Sequence, residues 1–89
     1  MAKVGVVEIE GEKIPVKEIS AGQRRDLVKQ ATDNIDDAEL NAQMIKSGCE
    51  KYKESSIEEI LDLPGSDFDA LAKEISKLSG MGGEAEKKA

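Results

Sequence analysis

The sequence predicts an α+β chain that is mainly α: a small N-terminal β-hairpin and about four short helices packed as a compact bundle. Three observations carry this. Residues 3–19, KVGVVEIEGEKIPVKEI, space Val and Ile by twos on either side of a central glycine, the pattern of two strands and a turn. From Ser20 onward the apolar residues recur at helical spacing, and Ser, Asp and Pro mark starts and stops. The chain has 89 residues, the length of one domain. Residues 1–80 make that domain. The closing MGGEAEKKA, residues 81–89, has no periodicity and reads as a flexible tail.

In the hairpin, Val4, Val6 and Glu8 fall on one face, with Val7 and Ile9 on or beside the other. Glu10-Gly11-Glu12 is the expected turn. Ile14, Val16 and Ile19 resume the pattern. Pro15 has no backbone donor, so its strand should be an edge. A two-stranded hairpin is marginal in water, so one face must lie on helices or on another chain.

Ser20-x-x-Gln23 is a capping box that opens the first helix. Its stripe is Leu27, Val28 and Ala31, with Arg24, Arg25 and Lys29 toward water. Thr32-Asp33-Asn34 ends it. Asp36-x-x-Glu39 starts the second helix, with acids at the positive end of its dipole. Ala38, Ala42, Ile45, Cys49 and Tyr52 recur along it, and Leu40 and Met44 make a stripe alongside. Such a wide apolar arc predicts a helix contacted on two sides. Gly48, costing about 1 kcal/mol relative to Ala in a helix, is either a point of close packing or a weak spot.

Ser55 and Ser56 each precede a Glu by three residues, so either can cap a short helix carrying Ile57, Ile60 and Leu61. Pro64 stops it. Ser66 is the expected cap of the last helix, whose stripe is Phe68, Leu71, Ala72, Ile75 and Leu78, and Gly80 is its natural terminator. The segment 61–80, LDLPGSDFDALAKEISKLSG, is thus an elbow of two helices folding onto a common core.

The composition excludes several chemistries. There is no His, which removes the commonest general base and metal ligand. The one cysteine, Cys49, has no partner for an internal disulfide, which fits a reducing compartment. On an apolar helix face it reads as small core filler. Asp36-Asp37 and Glu58-Glu59 lack calcium-loop spacing and are accounted for by helix capping. No glycine cluster precedes a helix as a phosphate loop does. The expectation is no catalysis, no cofactor and no metal. A net charge of -6, from 13 basic and 19 acidic residues, argues against nucleic acid and for solubility. No signal pattern is visible at the N-terminus, and no apolar run approaches the ~20 residues of a membrane span. The expected location is the cytoplasm. With one Phe, one Tyr and no Trp, the core must be aliphatic, and aromatic anchors for a partner are nearly absent.

The hairpin VEIEGEKIPVKEIS, the helix GQRRDLVKQ and the elbow EEILDLPGSDFDALAKEISKLSG together resemble the small tail assembly chaperones of long-tailed bacteriophages and prophages. The resemblance runs from Val6 to about Gly80. It is strongest in the pairing of the hairpin with Leu61-x-Leu63-Pro64, Asp67-Phe68 and the Leu71/Ile75/Leu78 stripe. It implies a protein of the host cytoplasm that coats the tape measure protein, a long helical rod, and keeps it soluble until tube subunits polymerise. Such chaperones are absent from the mature virion. They are often made in two lengths by a frameshift, the longer form recruiting tail tube protein. Lys87-Lys88 is compatible with a slippery codon pair, and residues 81–89 would suit the junction. On this reading Leu61, Phe68, Leu71 and Ile75, with Ala42 and Ile45 beside them, organise a groove for an amphipathic helix. The alternative is that all six are ordinary core. Self-association through the hairpin is also open: Pro15 argues against unlimited pairing but allows a dimer.

Two further functions fit the size and charge. One is a small acidic phage inhibitor of a host enzyme, although the interspersed lysines leave no long acidic face. The other is a minor structural tail or head–tail completion protein, which, unlike a chaperone, would remain in the virion.

Overall fold

The structure is a computed structural model, and it describes residues 3–33 and 36–80. The hairpin forms because Glu10 and Gly11 both adopt positive φ, 51° and 81°. That pair of conformations makes a two-residue turn whose twist matches the strands. β1 (Val4–Ile9) therefore pairs directly with β2 (Glu12–Lys17), in the register Val4 with Lys17 through Ile9 with Glu12. Glu12, expected in the turn, belongs to β2. The inward face carries Val7, Ile14 and Val16, all buried, while Val4 and Val6 are 74% and 57% exposed on the outer face. Pro15 sits opposite Val6.

Four helices follow, among the described residues. α1 (Ala21–Thr32) starts with the Ser20–Gln23 capping box, both halves of which are made. It ends at Asp33; Asn34 lies outside the described residues. α2 (Asp37–Gly48) is capped by the Asp36 carboxylate, which accepts from the Glu39 amide at 2.8 Å. It stops earlier than the apolar spacing predicts, because Cys49 turns extended and a 3-10 turn follows at Glu50–Tyr52. α3 (Ile57–Leu61) takes Ser56 as its cap, with Glu59 closing the box. α4 (Gly65–Leu78) begins one residue before Ser66. Pro64, with φ -53° and ψ 139°, is the cap residue, and its carbonyl accepts from the Phe68 amide at 2.9 Å. The proline ring fixes the entry angle that a serine cap was expected to supply. Gly80 takes positive φ, 76°, as expected of a helix terminator.

α2 is the central element. It packs on α1, α3 and α4, and α4 in turn spans both strands. The core is aliphatic: Val7, Ile14, Val16 and Ile19 from the hairpin segment meet Ala42, Met44 and Ile45 of α2, Ile60 of α3, and Leu71, Ala72 and Ile75 of α4. The Cα radius of gyration, 12.3 Å, is that of one compact domain of this length, about 12 Å. The expected tail, residues 81–89, lies outside the described residues.

α1 departs from its expected role. Of its stripe Leu27, Val28 and Ala31, only Leu27 is buried; Val28 is 56% exposed and Ala31 is exposed. Ala38, at the start of the α2 stripe, is exposed as well.

Candidate functional site

The elbow is built as the sequence implies. Ser56 and Glu59 satisfy each other's backbone amides at 2.8 and 3.1 Å, and this pulls the Glu59 carboxyl below its ordinary pKa. Pro64 then separates α3 from α4, and both helices turn their apolar residues the same way. The six residues expected to organise a groove divide between core and surface. Ala42, Ile45, Leu71 and Ile75 are each 0% exposed and together form the centre of the core. They offer no surface to a partner. Leu61 and Phe68 are half-buried against that core and reach the surface at its edge. The elbow therefore holds the domain together, and any groove it shapes is shaped from beneath.

The apolar surface lies elsewhere. α1 and α2 diverge to leave an open cleft of ≈ 260 Å³. Leu27, Val28 and Ala31 line it from α1, Leu40, Asn41 and Met44 from α2, and Ser76 from α4, with Asp37 at its rim. Five of these are apolar, and they join the half-used stripe of α1 to the second stripe of α2. The sequence named both stripes; their separation depends on how far α1 stands off, which no local pattern encodes.

Three polar contacts that sequence reasoning missed hold the frame around this cleft. The Ser79 hydroxyl donates to the Ile75 carbonyl at 2.7 Å and accepts from the Ile19 amide at 3.0 Å, tying the hairpin exit to the end of α4. Arg24, read as facing water, donates from Nη1 to the Ser79 carbonyl at 3.0 Å and so pins α1 to the same knot. Lys46 donates from Nζ to the Lys53 and Ser55 carbonyls at 2.9 and 2.6 Å, folding the 3-10 segment back on α2. Each pair is distant in sequence or joins a side chain to backbone, so neither spacing nor composition signals it.

Cys49 is enclosed. Its thiol donates weakly to the Pro15 carbonyl at 3.7 Å, and burial pushes its pKa above the ordinary value. Near neutral pH it is a neutral thiol that packs in the core. A second cleft, of ≈ 340 Å³, is polar, lined by Lys17, Gln23, Lys46, Ser47, Glu50 and Lys53 beside Cys49. Among the described residues no cluster of three or more metal-ligating side chains occurs, and no helix is long and apolar enough to cross a membrane.

Compared with known proteins, the chain matches no family model, no curated protein and no solved structure.

Proposed function

We propose that this protein is a phage tail assembly chaperone that binds and solubilises the tape measure protein during tail morphogenesis. The resemblance of its hairpin and its Leu61–Gly80 elbow to those chaperones supports the class. The observation that supports a helix-binding role is the open apolar cleft between α1 and α2, which the side chains of the described residues leave unfilled. A helix of 12 residues, the length of each cleft wall, spans about 18 Å. An amphipathic partner helix would lay residues at i, i+3, i+4 and i+7 against Val28, Leu40 and Met44. Individually weak contacts suit a temporary coat, because many copies along one rod gain by avidity and each must leave when tube subunits arrive. The net charge of -6 keeps such a coated rod soluble. On this proposal the protein works in the host cytoplasm and is missing from mature virions. A longer, frameshifted form would add the contact to tail tube protein.

Affinity capture from phage-producing cells, with mass spectrometry of the co-purifying proteins, tests the proposal. Recovery of one very long helical phage protein is expected. Recovery of a host nuclease or polymerase in its place would favour the inhibitor reading, and detection of this chain in purified virions would favour the structural one.

A further inference from the structure

We propose that β1 is the pairing edge of a symmetric dimer, in which β1 lies antiparallel to β1 of a second copy of this chain, about a twofold axis at Val6. Such a dimer does not depend on the chaperone reading.

The hydrogen-bond phase of the hairpin sets the direction of every backbone group on β1. The Glu18 amide donates to the Lys3 carbonyl at 2.9 Å, so Lys3 and Glu18 form a hydrogen-bonded pair. In an antiparallel ladder such pairs alternate. With the observed register, Gly5–Val16, Val7–Ile14 and Ile9–Glu12 are then bonded pairs, and Val4, Val6 and Glu8 turn their N–H and C=O groups away from β2. Among the described residues nothing hydrogen-bonds these outward groups. Val4 and Val6 are 74% and 57% exposed, and no described element covers this edge.

The opposite edge is blocked at two of its three outward positions, Pro15 and Lys17. Pro15 has no N–H to offer, and its carbonyl takes the Cys49 thiol. The Lys17 carbonyl faces Gly48, at 2.8 Å from where a side-chain carbon would stand. Among the described residues, each protomer therefore presents one edge that is open along its whole length, β1. One edge per protomer closes into a dimer, where two would propagate into a fibre.

The occupant follows from chemistry. A helix has already used its backbone groups, so an exposed ladder edge selects another extended strand. β1 is self-complementary for that purpose. The outward positions Val4, Val6 and Glu8 are symmetric about Val6. Pairing Val6 with Val6 of the second copy sets Val4 against Glu8 of that copy, and every outward position then sits in a pair that exchanges two hydrogen bonds. A slip of two residues strands one position at each end. The outer face agrees. Across the four-stranded sheet, Pro15 and Val6 meet Val6 and Pro15 of the second copy in one apolar row. The flanking rows run Lys13, Glu8, Val4, Lys17, with no like charges opposed.

Light scattering over a concentration series is the test. The wild type is expected at twice the 9.6 kDa chain mass, falling to one chain mass on dilution. Val6 is exposed in the monomer, so Val6→Lys should keep the circular dichroism spectrum and the thermal transition. Its mass should halve, because two ammonium groups now face each other across the axis. Val6→Asp should behave likewise, and mixing the two variants should restore the double mass. Val6→Cys should oxidise to a covalent dimer, since opposed Cα atoms stand about 5.5 Å apart, within disulfide reach. Val28→Cys, equally exposed, should not. A wild type that stays monomeric at every concentration would overturn the proposal, as would a dimer that survives Val6→Lys. A monomer that dimerises only after removal of residues 81–89 would overturn it in favour of the tail as the strand on this edge.

Discussion

Gly48 shows how one missing methyl group can fix a fold. A side-chain carbon there would stand 2.8 Å from Ile75 Cγ2 and 2.8 Å from the Lys17 carbonyl oxygen. The first neighbour is a core side chain and the second is backbone, so neither can yield cheaply. Alanine would gain up to about 1 kcal/mol of helix propensity, but overpacking costs on the order of 1–3 kcal/mol. Gly48→Ala is expected to lower the urea midpoint. At Gly5 the nearest atom, also 2.8 Å away, is the far end of the Glu74 side chain, which can swing aside. Gly5→Ala should therefore cost clearly less, and equal losses would show that Gly48 is not a point of close packing. The sequence offered two readings of Gly48, close packing or weak spot. Distance decides for packing, and no single-chain pattern could have measured it.

Cys49 makes a second prediction at this scale. Burial raises its thiol pKa, so near neutral pH the group is a thiol in both folded and unfolded chains and contributes no pH dependence. Above its ordinary value, 9.0, the unfolded chain releases the proton first and stability falls as pH rises. Tyr52, also raised by burial, and Lys51, raised by its hydrogen bond to Glu12, act in the same direction at higher pH. Chemical denaturation of wild type and Cys49→Ala between pH 8 and 10 isolates the thiol. The alanine variant should lose less stability over that interval. Parallel pH profiles would show the thiol to be solvated.

At the scale of elements, most starts were legible because caps are local. Ser20–Gln23, Asp36–Glu39 and Ser56–Glu59 all act where their spacing places them. Pro64 displaced the Ser66 cap, since a ring-fixed φ competes at the same helix end. What spacing does not encode is how firmly a helix docks. α1 has the apolar residues for a full stripe but buries Leu27 alone, and the Arg24–Ser79 bond is what ties it to the end of α4. α4 buries Leu71, Ala72 and Ile75 and packs on strands and helix alike. Amide hydrogen exchange should find α1 opening well before α4. Equal protection in the two helices would show that α1 is docked more tightly than its burial implies. On the proposed function, a loosely held wall would let the α1–α2 cleft widen for a partner.

At the scale of the molecule, fold class came from the change in apolar period at Ser20 and from the elbow grammar around Pro64. The site did not. The six residues expected to form a groove lie on the strongest apolar stripes, and the strongest stripes are what a small aliphatic domain spends on its core. Ala42, Ile45, Leu71 and Ile75 are buried for that reason. Surface apolar residues belong to the weaker patterns: Val28 and Ala31 on α1, Val4 and Val6 on β1. They form two separate faces, a cleft suited to a helix and an edge suited to a strand. A dimer joined at β1 would carry two clefts, and that doubling would strengthen attachment to a repetitive rod.

The proposed function turns on whether the cleft keeps a long helical partner soluble. The soluble fraction of the tape measure protein, co-expressed with wild type or with Val28→Asp, measures this directly. Val28 is exposed, so the variant should fold with an unchanged thermal transition while placing a charge in the cleft. The partner is expected to be soluble with wild type and largely insoluble with Val28→Asp. A partner that stays insoluble with wild type would refute the chaperone assignment. One kept equally soluble by a folded Val28→Asp would refute the cleft as its binding site.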